Sequence, residues 1–244
     1  MSQVSASIEV AKDPEALARR AAGWITDLAA ASRGRFAICL SGGSTPRRLY
    51  QLLAESPYRD ALPWDRIHWF WGDERFVPHD HRDSNFRMAH EAFLSRVPVP
   101  AENIHAVPTE GISPEDAAAA YESTLKSFYG GPTLAPDRPL FGVTLLGLGE
   151  DGHTASLFPG QPALQEMQRW AVAVIGAKSE PRITLTYPAL DSSRDLAFVV
   201  TGAEKRQAVA RAQAEDPAIP AGAIRPIGRL HWFTDRAAAP ERTN

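Results

Sequence analysis

The stretch Arg35-Phe-Ala-Ile-Cys-Leu-Ser-Gly-Gly-Ser-Thr-Pro46 reads as a strand, a turn and the opening of a helix. Arg35–Leu40 is a short, continuous apolar run, the pattern of a strand buried on both faces. Ser41-Gly42-Gly43 ends it, and a helix is expected from Pro46 to about Glu55. The same rhythm recurs on either side. Upstream, Asp13-Pro14 supplies an N-cap and a first-turn proline, and Leu17, Ala21, Trp24, Ile25 and Leu28 fall on one helical face. Downstream, Ile67–Trp71, Phe141–Leu146, Ala171–Ile175, Ile183–Thr186, Leu196–Val200 and Leu230–Phe233 read as strands, and Asn85–Leu94, Ser113–Phe128 and Ala203–Ala212 as helices. The alternation predicts an α/β fold, a mainly parallel sheet with helices on both faces, Rossmann-like in plan. No linker-like break interrupts it, so residues 1–244 are expected to form a single domain.

Composition excludes several classes. Lys and Arg number 26 against 29 Asp and Glu, a formal net charge of −3, which argues against a generally basic nucleic-acid binder. A hydrophobic share of 44% suits a packed globular chain rather than a disordered one. The apolar runs are too short to span a membrane. Cys39 is the single cysteine and no signal-like start is present, so the expectation is a cytoplasmic protein without disulfides.

In sheets of this type ligands bind beyond the carboxyl ends of the strands. Three chemically rich loops fall there: Ser41–Pro46, Gly72–Arg75 and Gly147–Gly160. In the first, Gly42 and Gly43 free backbone amides, Ser44 and Thr45 add hydroxyls, and the helix start adds a favourable dipole, a combination that suits a phosphate. A plain serine-capped turn is the alternative. In the third, Gly147-Leu-Gly-Glu-Asp-Gly152 matches a dinucleotide fingerprint only formally. Pro159 and Gly160 leave no room for the long helix that would hold a pyrophosphate, and no acidic residue ends the next strand to take a ribose. These glycines instead suit a tight loop presenting Asp151 and His153, a candidate general base. Asp73-Glu74-Arg75 brings carboxylates and a guanidinium to the same edge, where Arg75 could meet an oxyanion and Asp73 a hydroxyl; a surface ion-pair cluster is the other reading. His79, His81 and Asp83 alternate, but with no second cluster no metal is expected.

Taken together, Leu40–Pro46, Trp71–Arg75 with Asp83-Ser-Asn85, and Leu146–Pro159 resemble the 6-phosphogluconolactonase family. Arg182–Thr186, Gly202–Lys205 and the segment from Pro220 to Asp235 fit the same pattern, so the likeness covers most of the chain. The resemblance implies a fold of the sugar-phosphate isomerase/lactonase type and hydrolysis of 6-phospho-D-glucono-1,5-lactone to 6-phosphogluconate, in the oxidative pentose phosphate pathway. It implies no metal and no cofactor. Its partner would be the sugar-phosphate lactone, with no nucleic acid, membrane or obligate protein partner. By position, Ser41, Gly42, Gly43, Ser44 and Thr45 would hold the phosphate with Lys205. Arg182 would contact either the phosphate or the lactone end. His153 would be the base, with Asp151 beside it and Asp73 and Arg75 at the sugar.

Two other readings compete. The related glucosamine-6-phosphate deaminases carry a glutamate five residues after the loop histidine; here that position is Phe158, whose ring cannot relay a proton. A non-catalytic sugar-phosphate sensor would keep the phosphate loop and add a DNA-binding module. Residues 1–34 hold only a strand and a helix, too little for a helix-turn-helix.

Overall fold

The computed structural model describes residues 6–241. In chain order the elements are β1 (Ala6–Ala11), α1 (Pro14–Ala31), β2 (Phe36–Leu40), α2 (Ser44–Leu53), α3 (Tyr58–Ala61), β3 (Ile67–Trp71), β4 (Asp73–Arg75) and α4 (Asn85–Ala92). Then come α5 (Pro114–Tyr129), β5 (Phe141–Leu146), β6 (Ala171–Val174), β7 (Arg182–Leu185), α6 (Tyr187–Asp191), β8 (Ser193–Val200), α7 (Arg206–Gln213) and β9 (Arg229–Asp235). Six strands form one sheet in the order β1-β9-β8-β5-β2-β3, every neighbouring pair parallel. The continuous apolar run of β2 is buried at all five residues, as expected of an interior parallel strand.

Right-handed crossovers assign the helices to faces. The chain moves one way across the sheet from β1 to β2 to β3, which sets α1 and α2 together on one face; they pack on each other. It moves the opposite way from β3 to β5 and from β8 to β9, which sets α5 and α7 on the other face. The reversal falls between β2 and β5, which are direct neighbours through Ile38–Val143 and Cys39–Thr144. A crevice opens at such a switch point because the loops leaving the two strands diverge to opposite faces.

Three local expectations are corrected. Ala171–Ile175 and Ile183–Thr186, read as strands of the largely parallel sheet, form β6 and β7 of a separate antiparallel sheet in the order β4-β7-β6. The Gly72–Arg75 segment, read as a loop, contains its third strand, β4, paired to β7. The second helix starts at Ser44, not Pro46. Two buried tyrosines steady the strand ends beneath the crevice. Tyr50 Oη accepts from the Ser41 amide at 2.9 Å and donates to the Ser41 carbonyl at 2.8 Å. Tyr121 Oη does the same for Trp71, at 2.8 and 2.9 Å. Each satisfies backbone groups that the ladder leaves unpaired.

The far edge of the sheet is tied differently. Ser7 Oγ lies 2.7 Å from His231 Nδ1, and His231 Nε2 lies 2.8 Å from Asp195 Oδ1. Arg229 adds a two-pronged pair to the same fully buried carboxylate, at 2.7 and 2.9 Å. This chain of bonds links β1, β9 and β8. Cys39 is fully buried in β2, and burial pushes its thiol well up, so it is an inert core group.

Candidate active site

A cleft of about 360 Å³ opens at the carboxyl ends of β2, β5 and β8, the size range of small-ligand sites. Ser41–Pro46 line one side, Gly147–Gly149 and His153–Ser156 the floor, and Asp73, Arg75 and Arg182 the side toward the small sheet. Lys205, just beyond β8, closes the ring. Every residue that the resemblance implies for the site lines this cleft except Asp151, which lies behind His153.

At the first wall, α2 begins at Ser44 with Gly43 as a cap that offers no side-chain acceptor. The first bond from an α2 amide to a carbonyl outside the helix runs from Arg47 to Gly43. Pro46 has no N–H, so the amides of Gly43, Ser44 and Thr45 are left as free donors at the positive end of the helix dipole. Thr45 Oγ1 bonds Thr201 Oγ1 at 2.8 Å, pinning the helix start to the end of β8. Ser41 Oγ is buried and without a partner among the described residues. A methyl group on Gly42 would fall on Asn85 Oδ1, so only glycine lets the loop lie this close to α4. Lys205 forms no ion pair among the described residues, and it lines the same cleft as these donors.

The floor positions the candidate base. His153 Nδ1 lies 2.6 Å from Asp151 Oδ1, which also accepts from the His153 amide at 3.1 Å. Burial works against ionising Asp151, but the His153 amide and ring, with the Lys178 charge, outweigh it and hold its pKa below the ordinary carboxylate value. An ionised Asp151 accepts a hydrogen bond from Nδ1–H and leaves the Nε2 lone pair free. Gly149 is obligatory here, because a Cβ would land on the His153 ring and the Asp151 carboxylate. Phe158 packs beside the imidazole at a tilt of 44°, with ring centroids 4.7 Å apart, and is itself buried.

On the third wall, strand alternation sorts Asp73-Glu74-Arg75 into two jobs. Asp73 and Arg75 face the cleft. Asp73 accepts from Ser156 Oγ at 2.6 Å, and its carbonyl accepts from Asn85 Nδ2 at 2.9 Å. Glu74 points the other way, is buried, and holds the start of α4 through the Asn85 and Phe86 amides at 2.7 Å each. Burial pushes its carboxyl up against the pull of those amides. Arg75 stands directly opposite Arg182 across the β4–β7 ladder. Like charges in that relation repel. Burial and then the Arg75 charge push the Arg182 pKa down, and the Nε atoms of both arginines are buried with no partner among the described residues. Each guanidinium is only partly satisfied: Arg75 Nη1 donates to the Asp83 carbonyl at 2.6 Å and Arg182 Nη2 lies 3.9 Å from Glu180, while both residues line the cleft.

Among the cleft residues with no role assigned from the sequence are Asn85, Ser156 and Lys178. Asn85 and Ser156 stand inside the quoted motifs and act by holding Asp73 and the Gly42 loop. Lys178 follows a strand end with no pattern around it that marks a site. His79 and His81 lie elsewhere: His79 Nε2 bonds the Val107 carbonyl at 2.8 Å and His81 Nδ1 accepts from the Asp83 amide at 3.2 Å. Among the described residues no three His, Cys, Asp or Glu side chains converge on a point.

Comparisons with known proteins fall on the same side. The family model for glucosamine-6-phosphate isomerases/6-phosphogluconolactonase matches residues 12–232. A 6-phosphogluconolactonase of Nostoc sp. is 47% identical over 242 residues, covering 96% of this chain and 98% of its own. One from Synechocystis sp. is 46% identical, with 86% of each chain covered. The crystal structure of a 6-phosphogluconolactonase from Thermotoga maritima, 30% identical, superposes with a TM-score of 0.80 over 95% of this chain and 100% of its own. The chain belongs to the glucosamine-6-phosphate isomerase/6-phosphogluconolactonase family.

Proposed function

We propose that this protein hydrolyses 6-phospho-D-glucono-1,5-lactone to 6-phospho-D-gluconate, with His153 as general base. The observation that carries the reading is the Asp151–His153 pair opening its free nitrogen onto a cleft that free amides, Lys205 and two arginines also line. Those donors are placed to hold an anionic substrate at a distance from the base. The free amides of Gly43, Ser44 and Thr45, the Ser41 hydroxyl, Lys205 and Arg182 take the phosphate. Binding that remote group brings the lactone carbonyl to His153, so phosphate affinity is converted into orientation.

A δ-lactone is an activated ester, and the chemistry required is modest. Nε2 of His153 takes a proton from water as its oxygen adds to C1, and the carbonyl electron pair moves onto oxygen. Arg75, which lines the cleft, meets that oxyanion. The intermediate collapses by breaking the bond from C1 to the ring oxygen, which recovers the proton from the imidazolium. Asp151 holds the ring in the right tautomer and stabilises its charged form. Asp73, fixed by Ser156 and Asn85, orients a sugar hydroxyl. No step calls for a metal or cofactor. Phe158, buried against His153, supplies no second proton carrier at the place where a ring-opening deaminase needs one.

We also read residues 1–244 as a single domain, supported by one core cluster that runs through both sheets and all the larger helices. The single cysteine supports a cytoplasmic location. No helix among the described residues is long and apolar enough to cross a membrane. The test is lactone hydrolysis with freshly generated substrate, comparing wild type, His153→Ala and the uncatalysed blank. Wild type should clearly exceed the blank and the variant should approach it. A wild type that merely matches the blank leaves a binding site without catalysis and favours the sensor.

A further inference from the structure

The turn between β6 and β7 plays no part in the reaction as written, yet it brings one more cation to the cleft. Lys178 lies on this turn and lines the cleft mouth. Its Nζ sits 5.0 Å from the centre of the Phe158 ring. The same ring lies 4.7 Å from His153, so Phe158 neighbours both the imidazole and the ammonium. Phe158 is 7% exposed and packed into the core, a fixed platform beneath an otherwise exposed lysine. Lys178 forms no ion pair among the described residues. Glu180, the one acid on its turn, is engaged by Ser179 Oγ at 2.6 Å and by Arg182 at 3.9 Å.

We propose that Lys178 is a further catalytic residue at the lactone carbonyl, held there by Phe158 as a positioning residue. The inference rests on the lactonase reading. The base fixes where water attacks, and therefore where negative charge appears. An uncommitted ammonium set against the same aromatic ring is placed to meet that charge. It meets first the oxyanion on the C1 oxygen and then the carboxylate of the product. A cation resting on a ring face keeps its charge available while losing much of its freedom to swing away. The phosphate is assigned to the start of α2, Lys205 and Arg182, and Lys178 to the lactone end.

Kinetics on fresh 6-phospho-D-glucono-1,5-lactone test this, with wild type, Lys178→Met, Lys178→Arg, Phe158→Leu and Phe158→Tyr each measured against the blank. Inhibition by 6-phosphogluconate and by inorganic phosphate is measured alongside. Lys178→Met should lower kcat about tenfold and weaken inhibition by 6-phosphogluconate to a similar degree. Inhibition by inorganic phosphate should stay within about twofold, and Lys178→Arg should retain most of the rate. Phe158→Leu should reproduce the pattern at smaller size, while Phe158→Tyr keeps the ring face and the rate. The proposal falls if Lys178→Met keeps both kcat and product inhibition, or if it loses phosphate and product inhibition equally, which would make Lys178 a phosphate ligand. The positioning role falls if Phe158→Leu behaves as wild type. A wild type no faster than the blank overturns the lactonase reading itself, before any variant is compared.

Discussion

Two histidine–aspartate pairs stand in different parts of this molecule, and only one of them leaves a ring nitrogen without a partner among the described residues. His153 and Asp151 are 2.6 Å apart at the cleft; His231 and Asp195 are 2.8 Å apart at the sheet edge. By pair geometry they are alike. They differ in what the second ring nitrogen meets. His153 turns Nε2 toward the cleft, whereas His231 has both nitrogens engaged, one by Asp195 and one by Ser7. Ser7, His231 and Asp195 even form the sequence of groups found in a nucleophilic triad. Yet Asp195 is also clamped by Arg229, and Ser7 is exposed on the edge strand and does not line the cleft. A histidine–carboxylate pair becomes a base when its second nitrogen is free and faces a cavity, and a strut when that nitrogen is occupied.

The comparison breaks most sharply at the histidines. His153→Ala should lower kcat by about 10²–10⁴-fold with little effect on KM, while His231→Ala leaves kcat nearly unchanged; equal kcat losses in steady-state assays would erase the distinction. Asp151→Asn comes next. An amide in place of the carboxylate donates to the ring and favours the wrong tautomer, so kcat should fall about 10- to 100-fold with the melting temperature held.

At the edge the effect should appear in stability. His231→Ala leaves Asp195 with Arg229 alone and frees Ser7, which should cost about 1–3 kcal/mol in urea unfolding. Lys205→Ala addresses the cleft wall rather than its base. It should raise KM for the phosphorylated lactone about tenfold with a smaller change in kcat, and an unchanged KM would remove it from the phosphate site.

The smallest expected effect concerns acid. Burial works against the Asp195 charge, but His231 and Arg229 outweigh it and hold its pKa below the ordinary carboxylate value. A carboxylate depressed on folding adds stability above its unfolded pKa, about 3.9, and loses it as pH falls through the lower folded value. Wild type and Asp195→Asn should therefore differ in stability at neutral pH and converge below about pH 4; parallel curves in acid unfolding would show that the edge clamp is not ionic.

Much of this was legible in the residues. The buried character of β2 follows from Phe36–Leu40 being apolar without alternation, because a strand covered on both faces has no polar side to show. The loop glycines, Asp151 and His153 were readable for a similar reason: local rules of turn geometry and donor chemistry act over a few residues. The errors came where pairing is long-range. Asp73–Arg75 is too short to announce a strand and becomes one only because Arg182–Thr184 lies against it, more than a hundred residues later. Ala171–Val174 and Arg182–Leu185 carry the composition of strands in either kind of sheet, and nothing in four residues states which neighbour they will find.

By itself, the sequence determined the α/β plan, the strand ends at which chemistry collects, and the chemical kind of each cleft residue, since periodicity and turn chemistry are local. Tertiary structure alone decided that Arg75 faces Arg182, that Glu74 turns away to hold α4, and that Phe158 carries Lys178 beside His153. It also decided which of two histidine–aspartate pairs keeps a nitrogen free. The physical reason is common to all four: a side chain's role depends on what occupies its remaining hydrogen-bonding and packing positions, and distant segments of the chain fill them only when the sheet closes.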